Sequence, residues 1–193
     1  MFYGNPSITG QQQNRTGVWD SNYGGVWHLN GNGASVSTTD STANANKATL
    51  DGSASVTSGL IDNGAALSGS GYFDAGNQPS VLPTHTGTMS VWVNPLMFTN
   101  YVIPIGNGDT SGFPEYGSMI TMDSSGSIQF RVDDTYWLDG NRVFDGPLVK
   151  NQWYYLTGTW DGSNVNLYVN GTLASSTSQS VDASPCCDLR TYP

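Results

Sequence analysis

The chain has 193 residues, only 11% of them charged, with 15 acidic against 6 basic side chains and a formal net charge of −9. Phosphate backbones and anionic bilayer surfaces are gripped by clustered Lys and Arg, so six scattered cations exclude nucleic acid and membrane surfaces as partners, and no apolar run approaches the length of a membrane-spanning helix. One domain of this length can bury a full core, and 24 glycines among abundant Asn, Ser and Thr suit short strands joined by many turns.

Residues 1–14 (MFYGNPSITGQQQN) carry no periodicity and several loop formers. Met1-Phe2-Tyr3-Gly4 has neither a basic n-region nor an apolar h-region, so it does not read as a secretory signal. Residues 31–46 form a polar loop around Asp40-Ser41-Thr42, and residues 49–55 read as a short strand. Residues 87–94 alternate: Met89, Val91 and Val93 on one face, Thr88, Ser90, Trp92 and Asn94 on the other. Residues 101–105 are a strand ending at Gly106-Asn107-Gly108-Asp109, and a loop follows through Pro114-Glu115-Tyr116-Gly117.

Residues 118–122 and 127–132 read as strands about a turn at Asp123-Ser124-Ser125-Gly126, with Ile128, Phe130 and Val132 opposite Gln129 and Arg131. Residues 133–147 (DDTYWLDGNRVFDGP) read as a long acidic, aromatic loop. Residues 153–160 are rich in Trp, Tyr and Thr, which fit a half-buried pleated surface. A turn at Asp161-Gly162 leads into Val165, Leu167 and Val169 alternating with Asn164, Asn166 and Tyr168, and Asn170-Gly171 is a two-residue hairpin signal. No helical period and no internal repeat appears. Cys186 and Cys187 are neighbours; adjacent Cα atoms lie about 3.8 Å apart, closer than a relaxed disulfide requires, so free thiols or a link between chains are expected. No Cys-x-x-Cys supplies a zinc ligand set.

The run W-x-x-L-x-G-T-W-D-G-x-x-V-x-L-Y-V-N-G over residues 153–171 resembles the central hairpin of the concanavalin A-like lectin/glucanase superfamily, in its laminin-G-like branch. Gly25 to Asn30, Asp40-Ser41-Thr42, Gly59 to Leu67, Gly71-Tyr72-Phe73 and the residues 87–94 strand resemble its other motifs, so the resemblance covers residues 15–176. It implies an all-β, antiparallel two-sheet jelly-roll sandwich, with residues 25–30 as its opening strand. Residues 1–14 resemble the end of a domain that precedes laminin-G-like domains in bacterial surface proteins, which implies a larger extracellular, multidomain parent. Residues 177–193 depart from the pattern, since only CDLRTY at residues 187–192 echoes the family's last strand; either the fold is trimmed at its closing strand or this C-terminus is not native to the domain. Calcium is the family's frequent structural ion and takes oxygen ligands, and Asp40 with Asn44 is the best local candidate.

Retaining glucanases of the superfamily use two glutamates on one strand, about 5 Å apart. Here the single glutamate, Glu115, lies in a loop, so that motif is absent. His28 and His85 are the only histidines and neither accompanies a nucleophile motif. Binding is better provided for. Sugars offer apolar C–H faces to aromatic rings and hydroxyls to Asn, Asp, Gln and Arg. Ser90, Trp92, Gln129, Arg131, Asn166 and Tyr168 face away from the core, and loops add Asp109, Tyr116, Tyr136, Trp137, Asp139 and Asn141. The expectation is a non-catalytic module that binds a poly- or oligosaccharide in a groove made by this set. The alternatives are a polysaccharide-cleaving enzyme on the same fold, using Asp and Tyr, and a structural or protein-binding spacer.

Overall fold

A computed structural model describes residues 7, 14–33, 35–99, 101–107, 117–133, 142–178 and 190–191. Its described strands are β1 (Gly31–Asn32), β2 (Ser35–Val36), β3 (Thr49–Ser58), β4 (Asn63–Asp74), β5 (Gly87–Val93), β6 (Val102–Gly106), β7 (Gly117–Met122), β8 (Ile128–Asp133), β9 (Arg142–Asp145), β10 (Tyr154–Trp160), β11 (Asn164–Val169), β12 (Thr172–Ser178) and β13 (Arg190–Thr191). The helical content among these residues is two single 3-10 turns, Arg15–Gly17 and Pro79–Val81.

Two antiparallel sheets make the sandwich. One has four strands in the order β12-β11-β10-β5, the other seven in the order β3-β4-β13-β6-β7-β8-β9, and β1 with β2 forms a separate ribbon. The core is the set that period-2 alternation picks out. Val165, Leu167, Ile128, Phe130 and Val132 are fully buried, Met89 is buried, and Val91, Val93 and Val169 pack against the same cluster. Tyr154, Leu156 and Trp160 of β10 join them. Gly158 stands on this inner face, where a β-carbon would overlap the Phe130 ring, so the glycine is what lets β10 lie down on β8.

The turns follow their residues. Asn170 and Gly171 both take positive φ (51° and 79°), as a tight two-residue hairpin turn requires. Asp161 Oδ1 accepts from the backbone N–H groups of Ser163 and Asn164, closing the β10–β11 turn.

Three expectations change. Residues 25–30 do not form a strand: Trp27 makes a single bridge with Asp40, and Leu29 has φ 49°, outside the extended region. Residues 59–67 and 71–76, which read as separate pieces, fall largely within one twelve-residue strand, β4, hairpinned onto β3 by a turn closed through Gly59 N–H and Asp62 O. The acidic segment before the central hairpin is not all loop, because Arg142–Asp145 pairs with β8 as the edge strand β9. The described closing strand is short: Arg190–Thr191 (β13) lies between β4 and β6, with Arg190 paired to Asp74 and Gly106. Cys186 and Cys187 lie outside the described residues.

Candidate functional site

The sandwich divides the expected groove in two. Trp92 belongs to β5 and points out from the four-stranded sheet; Gln129 and Arg131 belong to β8 and point out from the seven-stranded sheet. The core, including Met89, Val91, Ile128 and Phe130, lies between them. All three face away from the core, as the alternation says, but away in opposite directions, so they cannot line one groove. Asp109, Tyr116, Tyr136, Trp137, Asp139 and Asn141 lie outside the described residues.

On the seven-stranded sheet, Met119 and Arg131 pair across β7 and β8, and both are buried despite their outward register. The Arg131 guanidinium donates to Met119 Sδ at 3.1 Å, and Thr121 Oγ1 donates to Gln129 Oε1 at 3.4 Å. Arg142 of β9 stands directly opposite Arg131. Along β8 this face therefore buries Arg131 against Met119 but leaves the Phe144 ring beside Gln129 59% exposed.

The outer face of the four-stranded sheet is different. Registers β5–β10 and β10–β11 align its outward side chains into rows across the strands. Trp92 faces Tyr155. Ser90, Thr157 and Tyr168 form the next row, and Thr88, Thr159, Asn166 and Ser176 the one after. Trp92 is 50% exposed, unusual for so large an apolar ring, yet it is not loose. Its ring centroid lies 5.0 Å from that of Tyr155 at 31° between planes, an offset contact that steadies the indole from one side. Tyr155 is itself fixed. Its hydroxyl bonds Ser90 Oγ at 3.0 Å, and its backbone N–H donates to Asn170 Oδ1 at 2.9 Å. Two rows along, Asn166 Nδ2 donates to Thr159 Oγ1 at 3.3 Å, and Ser176 Oγ donates to Asn166 Oδ1 at 2.6 Å. An open aromatic ring held in place beside fixed hydroxyls and amides can stack on an apolar ring face and hydrogen-bond its polar rim. Tyr155 and Thr157 are the residues that sequence reasoning missed. Leu156, Gly158 and Trp160 on the core face would have placed them outward by the same period of two.

The Asp40 region has another purpose. Asp40 is 2% exposed. Its Oδ1 accepts from the backbone N–H groups of Val26 and Thr42, and its Oδ2 accepts from Thr42 Oγ1 and the Asn46 N–H, at 2.7 to 2.9 Å. Burial pushes this carboxyl up, but the hydrogen bonds, that from the Thr42 N–H foremost, outweigh it and hold the group below the usual carboxylate range. Four donors occupy the four lone-pair positions of a carboxylate. The nearby Asn44 spends its amide N–H groups on the carbonyls of Tyr23 and Gly24. These bonds form a latch that ties residues 23–27 to the loop at 40–46, and the Asp40 carboxylate would have to give one up to take the calcium expected at Asp40 and Asn44. Among the described residues no three His, Cys, Asp or Glu side chains gather as a metal site. A polar pocket of about 520 Å³ beside the latch, lined by Asn44, Asn46, Lys47, Asp74 and Gln78 among others, has no aromatic wall.

Comparison with known proteins agrees with the fold. The family model for the concanavalin A-like lectin/glucanases superfamily, in its laminin-G form, matches residues 67–187, and the chain belongs to that superfamily. Among solved structures, domain 4 of AbnA, an extracellular arabinanase from Geobacillus stearothermophilus solved with arabinotriose, is similar with a TM-score of 0.62 and 19% identity, over 81% of this chain and 77% of that one. The binding domain of botulinum neurotoxin DC, solved in complex with SialylT, is similar with a TM-score of 0.60 and 12% identity, over 90% of this chain and 44% of that one. The binding domain of botulinum neurotoxin serotype D has a TM-score of 0.55 and 16% identity, over 88% of this chain and 44% of that one. At these identities the likeness is one of fold. No curated protein matches the chain.

Proposed function

We propose that the chain is a non-catalytic carbohydrate-binding module whose site is the outer face of the four-stranded sheet. The observation that carries this is Trp92: half exposed, on a strand, and braced by Tyr155 against rotation. A stacking ring that is already ordered loses little side-chain entropy on binding, which is where affinity for weak ligands is usually lost. The surrounding Ser, Thr, Asn and Tyr side chains match a hydroxyl-rich ligand. None of them is a carboxylate of the paired kind that most glycoside hydrolysis uses, which supports binding without turnover. The superfamily and the arabinotriose found on a similarly folded domain support the ligand class. A secreted or cell-surface location, as part of a longer protein, accords with that class; no helix among the described residues is long and apolar enough to cross a membrane.

Titration calorimetry against a panel of oligosaccharides tests the proposal. At least one should bind reversibly without being cleaved. Trp92→Ala should weaken it by about 1–3 kcal/mol, on the scale of other truncated aromatic anchors, while leaving the melting temperature close to that of wild type. A ligand that binds Trp92→Ala as well as wild type removes the site from this face. A polysaccharide that is depolymerised overturns the non-catalytic reading.

A further inference from the structure

Building on the carbohydrate reading, we infer that this face takes an uncharged glycan laid across the strands, and that acidic glycans are excluded from it. The inference rests on what the rows contain. β5 presents Thr88, Ser90 and Trp92; β10 presents Tyr155, Thr157 and Thr159; β11 presents Asn164, Asn166 and Tyr168; and β12, read from residue 172 to 178, holds no charged side chain. Four strands therefore offer an outer surface without Asp, Glu, Lys, Arg or His.

Such a surface offers hydrogen-bond donors to a carboxylate or sulfate but no cation. Taking a charged sugar out of water against it would leave that charge without a counter-ion. The chain's net charge of −9 adds long-range repulsion toward any polyanion. An uncharged glycan carries no such charge, and serine, threonine and tyrosine hydroxyls can both donate to and accept from its hydroxyls.

The registers also give a direction. Ser90, Thr157 and Tyr168 lie opposite one another on adjacent strands, which are spaced about 4.8 Å apart. Three hydroxyl-bearing residues opposite one another across three strands, with the Trp92–Tyr155 pair in the row alongside, define a track perpendicular to the strands. A saccharide on this track would stack against Trp92 and hydrogen-bond the row. The other face of the sandwich is where arginines stand, Arg131 opposite Arg142. Uncharged and acidic polymers are therefore the contrasting probes.

Affinity electrophoresis of the intact chain compares them. Native gels would contain uncharged polysaccharides (arabinan, xylan, mixed-linkage glucan) or acidic ones (polygalacturonate, alginate), at low and at high salt. The expected result is retardation by an uncharged polymer, unchanged by salt because no ion pair is screened. Thr157→Val keeps the shape and the strand preference but removes the central hydroxyl, and it should weaken retardation about three- to tenfold. Arg142→Gln should leave it unchanged. Retardation by an acidic polymer that salt abolishes and Arg142→Gln weakens would overturn the inference while leaving carbohydrate binding in place. Retardation by none of the polymers would overturn the carbohydrate reading, and this inference with it.

Discussion

Replacing Phe130 with alanine is expected to destabilise the protein by about 3–5 kcal/mol, the usual cost of deleting a fully buried phenylalanine ring. The side chain has no exposed surface. It lies where the two sheets meet, with Gly158 of β10 directly over it and the Trp160 ring centred 6.1 Å away. The backbone of β10 is held by β5 on one side and β11 on the other, so it cannot sink to fill the space. A loss of that size is a large part of the 5–15 kcal/mol typical of a domain. Urea denaturation should show a lower midpoint with an unchanged slope. Gly158→Ala should also destabilise, by about 1–3 kcal/mol, because the added methyl meets the ring. Together the two changes should cost less than their sum, since the methyl then enters the space the ring has left. Strict additivity would mean that Gly158 and Phe130 do not touch.

Asp40→Ala should cost at least about 3 kcal/mol, because it leaves the N–H groups of Val26, Thr42 and Asn46 without their acceptor, at about 1–3 kcal/mol for each such group. The carboxyl's lowered pKa fixes the pH dependence. A group whose pKa is lower folded than unfolded stabilises fully above its unfolded value, near 3.9 for Asp, and loses that stabilisation as pH falls through the folded value. Wild type should therefore lose stability as pH drops below about 4, and Asp40→Asn should lose less over the same range. Equal acid slopes in the two proteins would remove Asp40 as a charged latch. Because the carboxylate is saturated, millimolar calcium should leave the melting temperature unmoved; a rise would place an ion in the fold.

Much of the sandwich can be read from period-2 alternation, since that pattern is local. Met89, Val91 and Val93, or Ile128, Phe130 and Val132, announce their buried face within six residues. Asn170-Gly171 announces its turn in two. What local pattern does not carry is which sheet a strand joins. β5 pairs with β10, some sixty residues later in the chain, and β8 pairs with β7 and β9. Alternation put Trp92 and Arg131 outside correctly, but only pairing shows that they are outside on opposite sheets. The same limit hid β9, whose four residues (RVFD) are too few for a period to show and whose strand comes from pairing with β8. The Asp40 latch was half legible. Asp40-Ser41-Thr42 stands out as a loop motif, but the donors from Val26 and Asn46 are supplied by the fold.

Ligand on the outer face of the four-stranded sheet should be visible by chemical-shift mapping of the isotopically labelled protein, titrated with a soluble uncharged oligosaccharide that binds. The shifts should concentrate on the Trp92 indole N–H and on the amides of Ser90, Tyr155, Thr157 and Tyr168. Shifts concentrated instead on Thr121, Gln129, Arg131 and Arg142, with Trp92 unmoved, would contradict that placement.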